Sequence, residues 1–93
     1  MTIREIVKNP ATRFVDVRGA MEFDMGHIDG AVNIPLDQFQ SRYPEIEGLE
    51  TNPVIFYCRS GNRSGQAVAF LLQKGIKNIY NGGGLYDVES YLN

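Results

Sequence analysis

Four large apolar residues in succession, Val54-Ile55-Phe56-Tyr57, predict a strand buried on both faces, because successive strand side chains point to opposite sides. Beyond a short polar loop, residues 62–74 carry Ala67, Val68, Ala69, Phe70, Leu71 and Leu72. That segment predicts a helix apolar nearly all round and packed deeply on the sheet, ended by Gly75. Upstream, Thr2 can N-cap a helix through Lys8 that places Ile3, Ile6 and Val7 on one face, with Asn9-Pro10 as its stop. Phe14-Val15-Asp16-Val17 predicts a strand, Ala20 to Met25 one or two helical turns closed by Gly26, and Ala31 to Ile34 a strand stopped by Pro35. Leu36 to Tyr43 predicts a short helix before Pro44, and Ile79-Tyr80 a last strand. Gly82-Gly83-Gly84 then makes a tight turn into a terminal helix with Leu85, Val88 and Leu92. Strands alternating with helices predict an α/β fold around a mostly parallel sheet, whose functional groups lie at the carboxyl ends of the strands. The most buried strand ends at Tyr57, and the next residue is Cys58.

Composition bounds what Cys58 can be. The chain has 93 residues and 10.4 kDa, 43% of them apolar and 22% charged, so residues 1–93 read as one domain with a real core. Nine Lys and Arg against eleven Asp and Glu give a formal net charge of −2, which argues against general electrostatic binding to nucleic acid or an anionic membrane. One Cys and one His cannot build a structural zinc site, a disulfide framework or a CxxC pair. No apolar run approaches the roughly 20 residues of a membrane span. The opening Met1-Thr2-Ile3-Arg4-Glu5 lacks a signal peptide's apolar stretch, so the expectation is a cytoplasmic domain, and nothing demands more than a monomer. The charges are uneven: residues 1–50 hold nine acids and five bases, residues 51–93 four bases and two acids. From Thr51 to Tyr86 there is no carboxylate, while Arg59, Arg63, Lys74 and Lys77 all fall there. A solvated basic face would look the same; what singles this stretch out is that it contains the lone Cys.

Cys58-Arg59-Ser60-Gly61-Asn62-Arg63-Ser64 joins the buried strand to the buried helix. Successive N–H groups in such a loop can form an anion-binding nest, the positive end of the helix dipole points into it, and Arg59 and Arg63 add charge. Each favours thiolate over thiol, so the pKa is expected below the free-Cys value of ~8.5. Gly61 supplies backbone freedom, and the Ser60 and Ser64 hydroxyls can donate hydrogen bonds. A lone Cys is often an inert core residue; this placement argues for a nucleophile instead. A thiolate in an anion cup can attack phosphorus or arsenic, or the sulfane sulfur of a thiosulfate-like donor. Four residues separate Cys58 from Arg63, a smaller cup than the five-residue spacing of Cys-dependent phosphatases. No carboxylate lies in the loop to protonate a leaving alkoxide, although Asp24, Asp29 or Asp87 could fold near it. Both features favour sulfur transfer over a small phosphatase or arsenate reductase.

That loop, with Asp16-Val17-Arg18, Glu22-Phe23, Gly26-His27-Ile28, Gly30-Ala31-Val32-Asn33-Ile34-Pro35 and Gly82-Gly83, resembles the single-domain rhodaneses (thiosulfate sulfurtransferases) over nearly the whole chain. The resemblance implies a five-stranded, mostly parallel sheet with helices on both faces, and a Cys58 persulfide during turnover. It implies a small anionic sulfur donor and a thiol or protein acceptor, with no metal or organic cofactor. Backbone N–H groups of residues 59–63 would hold the anionic sulfur, and one of Arg59 and Arg63 would grip the donor's sulfonate. Ser60, Gly61, Asn62 and Ser64 complete the expected binding loop. A non-catalytic sulfur-binding module of the same fold is the alternative from another class. Many relatives carry Trp after the final Gly-Gly, where this chain, which has no Trp, offers Tyr86 and Val88.

Other residues read as structural. His27, just before a strand, is expected to make a structural hydrogen bond rather than act as a base. Asp16 and Arg18 are expected to pair or tie down backbone. The glycines at 82–84 lack GxGxxG or Walker spacing. Tyr43 and Tyr86 are candidate rim residues.

Overall fold

A computed structural model describes all residues, Met1 to Asn93. The first helix, α1 (Ile3–Lys8), opens on a reciprocal cap: Glu5 N–H donates to Thr2 Oγ1 at 3.2 Å and Thr2 N–H to Glu5 Oε1 at 2.8 Å. Then come β1 (Arg13–Asp16), α2 (Ala20–Asp24), β2 (Val32–Asn33), α3 (Phe39–Arg42), β3 (Val54–Cys58), α4 (Asn62–Gln73), β4 (Ile79–Gly84) and α5 (Leu85–Leu92). The strands form one sheet in the order β2-β1-β3-β4, every neighbouring pair parallel. No helix is long and apolar enough to cross a membrane.

The sheet has four strands, not the five expected. The segments left over cannot supply another. Residues 17–31 hold α2 and the left-handed turns at Gly26 and Gly30, while residues 43–53 hold two prolines and positive-φ turns at Gly48 and Glu50. β2 is shorter than residues 31–34 and pairs only through Val32 and Asn33. The helix expected over 36–43 is a stack of single turns: a 3-10 turn at Leu36–Gln38, the short α3, and a 3-10 turn at Tyr43–Glu45. Flattened backbone at Gln38 (φ −108°) and Arg42 (φ −113°) separates them.

β3 is buried at every position, as its pattern predicts, and its two faces feed two cores. Val54, Phe56 and Cys58 pack with Val15, Phe39, Ala67 and Leu71; Ile55 and Tyr57 pack with Ile6, Val7, Ile28 and Val88 on the other side. Helices therefore cover both faces, and truncating a β3 side chain such as Phe56 to Ala would cost about 3–5 kcal/mol. α4 is less enclosed than its composition predicts. Ser64, Ala67 and Leu71 form its one buried stripe, while Leu72 is 55% exposed.

The three glycines expected as a turn belong to β4 itself. Phe56 pairs with Asn81 and Tyr57 with Gly83, so Gly82 is an extra residue bulged out of register. Close packing explains why glycine is needed there. A Cβ on Gly82 would press on Ile55 and Val88, and one on Gly84 would overlap the Arg59 carbonyl. Of the two residues this chain offers after its glycines, Val88 is fully buried in the second core and Tyr86 is 80% exposed.

Candidate active site

Cys58 ends β3 opposite Gly84 and is 1% exposed. The chain then turns through Arg59 and Ser60 to Gly61, the N-cap of α4, in the left-handed region at φ 100°. Glycine is required here twice over. An L side chain is strained at that φ, and its Cβ would sit 3.2 Å from Gly83 Cα. A glycine cap also has no oxygen with which to satisfy the first-turn N–H groups. The Cys58 sulfur takes that place for the Ser64 N–H; it also accepts from the cap's own Gly61 N–H at 3.0 Å, and the Ser64 hydroxyl lies 3.5 Å from it. Burial, the largest influence, pushes the Cys58 thiol up. Hydrogen bonds from the Ser64 hydroxyl and from the N–H groups of Ser64, Ser60 and Gly61 together outweigh it and bring the pKa down to about 7.

The two loop arginines part company. Arg63 reaches across to α2, where its Nη1 and Nη2 donate to Glu22 Oε1 and Oε2 at 2.7 and 3.1 Å. Glu22 Oε1 also accepts from Gly19 N–H at 3.0 Å. The Arg63 hydrogen bond, more than any other influence, holds the Glu22 carboxyl down at about 2. Arg59 is exposed and forms no ion pair. It lines an open cleft of about 390 Å³ with Arg18, Glu22, Met25, Leu85 and Tyr86.

The sequence profile of the rhodanese-like domain matches residues 2–89. The chain belongs to the rhodanese-like domain family. This rhodanese-like domain is 35% identical over 83 residues to the tRNA uridine(34) hydroxylase of Photorhabdus laumondii, covering 85% of this chain and 24% of that protein. The chain thus spans about a quarter of that relative's length. The structure of a rhodanese with anions from E. coli is similar at a TM-score of 0.76 and 35% identity, over 83% of this chain and 91% of that one. The human single-domain sulfurtransferase TSTD1 matches at a TM-score of 0.77 and 26% identity, over 98% and 91% of the two chains.

Within the rhodanese-like domain the loop expected from sequence is gathered around one sulfur, but unevenly. The N–H groups acting on Sγ are those of Ser60, Gly61 and Ser64, rather than the whole set from 59 to 63. Asn62 turns outward and accepts from Gln66 Nε2 at 2.9 Å. Asp16 and Arg18 pair as expected, with Arg18 Nη2 2.7 Å from Asp16 Oδ2 and 2.6 Å from the Gly26 carbonyl. His27 stacks on Phe23 with its Nδ1 2.8 Å from the Phe23 carbonyl oxygen, a structural place as predicted. Tyr86, 80% exposed, is on the cleft rim. Tyr43 is not: it packs on Phe39 and Phe70, facing the far end of α4 from the loop.

Two site residues, Glu22 and Asn81, escaped the sequence reading of the loop, and a third, Asp87, was there only as one of three carboxylates that could fold near it. Glu22 appeared only as part of a motif, yet its carboxylate neutralises Arg63, so the acid-free stretch is not free of acid in space. Asn81 ties the loop to β4: its Nδ2 donates to the Gly61 carbonyl at 3.0 Å, and its Oδ1 accepts from Ser64 Oγ at 2.7 Å and Gly83 N–H at 3.0 Å. Asp87 Oδ2 accepts from Gly84 N–H at 2.7 Å, holding the strand end beside Arg59. An Asn four residues before the helix Leu, directly preceding three glycines, was the available signal for Asn81.

Proposed function

We propose that this domain is a sulfurtransferase that carries sulfane sulfur on Cys58. The observation that supports the reading most is the Gly61 N–H, 3.0 Å from Sγ at the N-terminus of α4. It belongs to a donor set that leaves the thiol about half ionised at neutral pH, against a few per cent for a free Cys. The Cys58 thiolate attacks the outer sulfur of thiosulfate. A Cys58–sulfur bond forms, the donor's S–S bond breaks, and sulfite leaves with that bond's electron pair. The negative charge now sits on the outer sulfur of the persulfide, within reach of the loop N–H groups, which replace its lost hydration. An acceptor thiolate, or cyanide in an assay, then attacks that outer sulfur and returns the Cys58 thiolate. Sulfite is a stable anion and needs no acid to depart; of the carboxylates near the loop, Glu22 is held ionised and so is no proton donor for a phosphatase-like step, and Asp87 Oδ2 is taken up by the Gly84 N–H at 2.7 Å. Arg59, unpaired on the cleft rim, is the residue we assign to the donor's sulfonate. The length of the tRNA uridine(34) hydroxylase relatives favours a second reading, a sulfur-holding module serving a larger protein.

Intact mass after thiosulfate treatment decides the chemistry: one added sulfur atom is expected on the wild type and none on Cys58→Ser. Steady-state thiocyanate formation from thiosulfate and cyanide separates turnover from storage. A Cys58→Ser variant that keeps more than a few per cent of the activity overturns the reading, as does hydrolysis of p-nitrophenyl phosphate that disappears with Cys58→Ser.

A further inference from the structure

Ser64 is fully buried and owns a single hydroxyl proton, yet two acceptors flank its oxygen: Asn81 Oδ1 at 2.7 Å and Cys58 Sγ at 3.5 Å. The Asn81 amide cannot turn to avoid the contest. Its Nδ2 faces the Gly61 carbonyl, an acceptor only, and its Oδ1 faces the Gly83 N–H, a donor only. So Oδ1 must accept from Ser64, and at 2.7 Å it holds the proton by the shorter bond. The Ser64 lone pairs are then left for the sulfur, which suits a thiol S–H and opposes a thiolate.

We propose that Asn81 is a positioning residue for the sulfur chemistry: its Oδ1 accepts the Ser64 hydroxyl's hydrogen bond while the Cys58 sulfur is uncharged and gives it up when that sulfur becomes a thiolate. The inference rests on Cys58 being the nucleophile. When a persulfide forms, the charge moves to the outer sulfur and the hydroxyl returns to Asn81. Ser64 thereby supports the thiolate that attacks without binding the inner sulfur of the persulfide that must later react. Asn81 itself is exposed, so its side chain can be removed without opening the core.

The test is a cycle of four proteins: wild type, Ser64→Ala, Asn81→Ala and the double variant. Each is read by the pH midpoint of iodoacetamide alkylation. The charged groups around the loop are Arg59, Arg63 with Glu22 from α2, Asp16 at the end of β1 with Arg18 just beyond it, and Asp87 from α5. They are common to all four proteins and cancel from the cycle, as does any loosening of Gly61 by loss of the Asn81 tether. Competition predicts that Ser64→Ala raises the midpoint by at least about 0.5 pH unit more when Asn81 is already Ala, roughly a threefold larger effect on the thiolate fraction. An equal or smaller effect overturns the proposal. Should Asn81→Ala give no single midpoint, the native background still decides. There Ser64→Ala is expected to move the midpoint by less than about one unit, and a larger move means that the hydroxyl serves the sulfur without competition. Persulfide formation is scored separately by mass, so a missing coupling refutes the role of Asn81 while leaving sulfur transfer standing, and a missing persulfide does the reverse.

Discussion

Replacing Glu22 by Gln removes the carboxylate that links α2 to the helix carrying the sulfur loop, while keeping the side chain's size. The drop of the Glu22 pKa from 4.5 to about 2 sets a ceiling of about 3 kcal/mol on what the charged form contributes. Both side chains are 35% exposed, so solvent screening reduces this to about 1 kcal/mol. The folded-state pKa is lowered, so the contribution is complete above pH 4.5 and is lost as pH falls toward 2, roughly half or more of it being gone by pH 3. Urea unfolding of the wild type and Glu22→Gln should therefore differ by about 1 kcal/mol at pH 7 and converge in acid. Freed Arg63 also acts on the sulfur. Its guanidinium already feels the Cys58 charge, so the alkylation midpoint of Glu22→Gln should fall by a few tenths of a pH unit at low salt and recover at high salt. Equal stability of the two proteins at pH 7, or a gap that persists undiminished at pH 3, refutes the assignment of this pair as the link.

The arginines should separate kinetically. Arg59→Ala should raise KM for thiosulfate several-fold with a smaller change in kcat, and added salt should weaken wild-type capture in the same direction, whereas Arg63→Ala should lower stability more than it raises KM. Unchanged KM in Arg59→Ala would leave donor binding to the backbone alone. Gly84→Ala should cost about 1–3 kcal/mol in unfolding and slow persulfide formation, because its Cβ meets the Arg59 carbonyl and pushes the loop off the sulfur; native kinetics in that variant would show that β4 does not set the loop.

What was legible in the sequence depended on how far along the chain each cause lay from its effect. The cup around Cys58 closes within six residues: Gly61 lies three positions on and Ser64 six, so loop, glycine and helix start could be read together. β3 was legible for a similar reason, since burial on both faces leaves its mark in the strand itself. Glu22 grips Arg63 across 41 positions and Asn81 grips Ser64 across 17. Nothing in local periodicity encodes such a pair; both exist only because β1, β3 and β4 bring their carboxyl ends to one edge of the sheet. Tyr43 went astray by the same rule, because an aromatic in a turn carries no sign of which end of α4 it meets.

The glycines at 82–84 show how a correct residue reading can carry the wrong geometry. They were legible as positions needing freedom, and Gly83 does sit at φ 86°. Yet the need is for close approach within a strand rather than for reversal of the chain. β4 must slide one residue against β3 at Gly82 so that Gly84 comes level with Cys58. That slip has a direct chemical consequence. It brings the Gly83 N–H and Gly61 carbonyl to opposite ends of the one Asn81 amide, and it is this fixed amide that faces the Ser64 hydroxyl next to the sulfur. Deleting Gly82 would join Asn81 directly to Gly83 and give a regular ladder, with Asn81 still opposite Phe56 and Gly83 still opposite Tyr57. The strand would remain, with its pairing intact, but the Gly83 N–H would follow Asn81 directly and no longer turn back onto its Oδ1, so the amide would lose one of the two bonds that fix its orientation. The bulge is therefore part of the sulfur site, although it lies on the strand opposite the nucleophile.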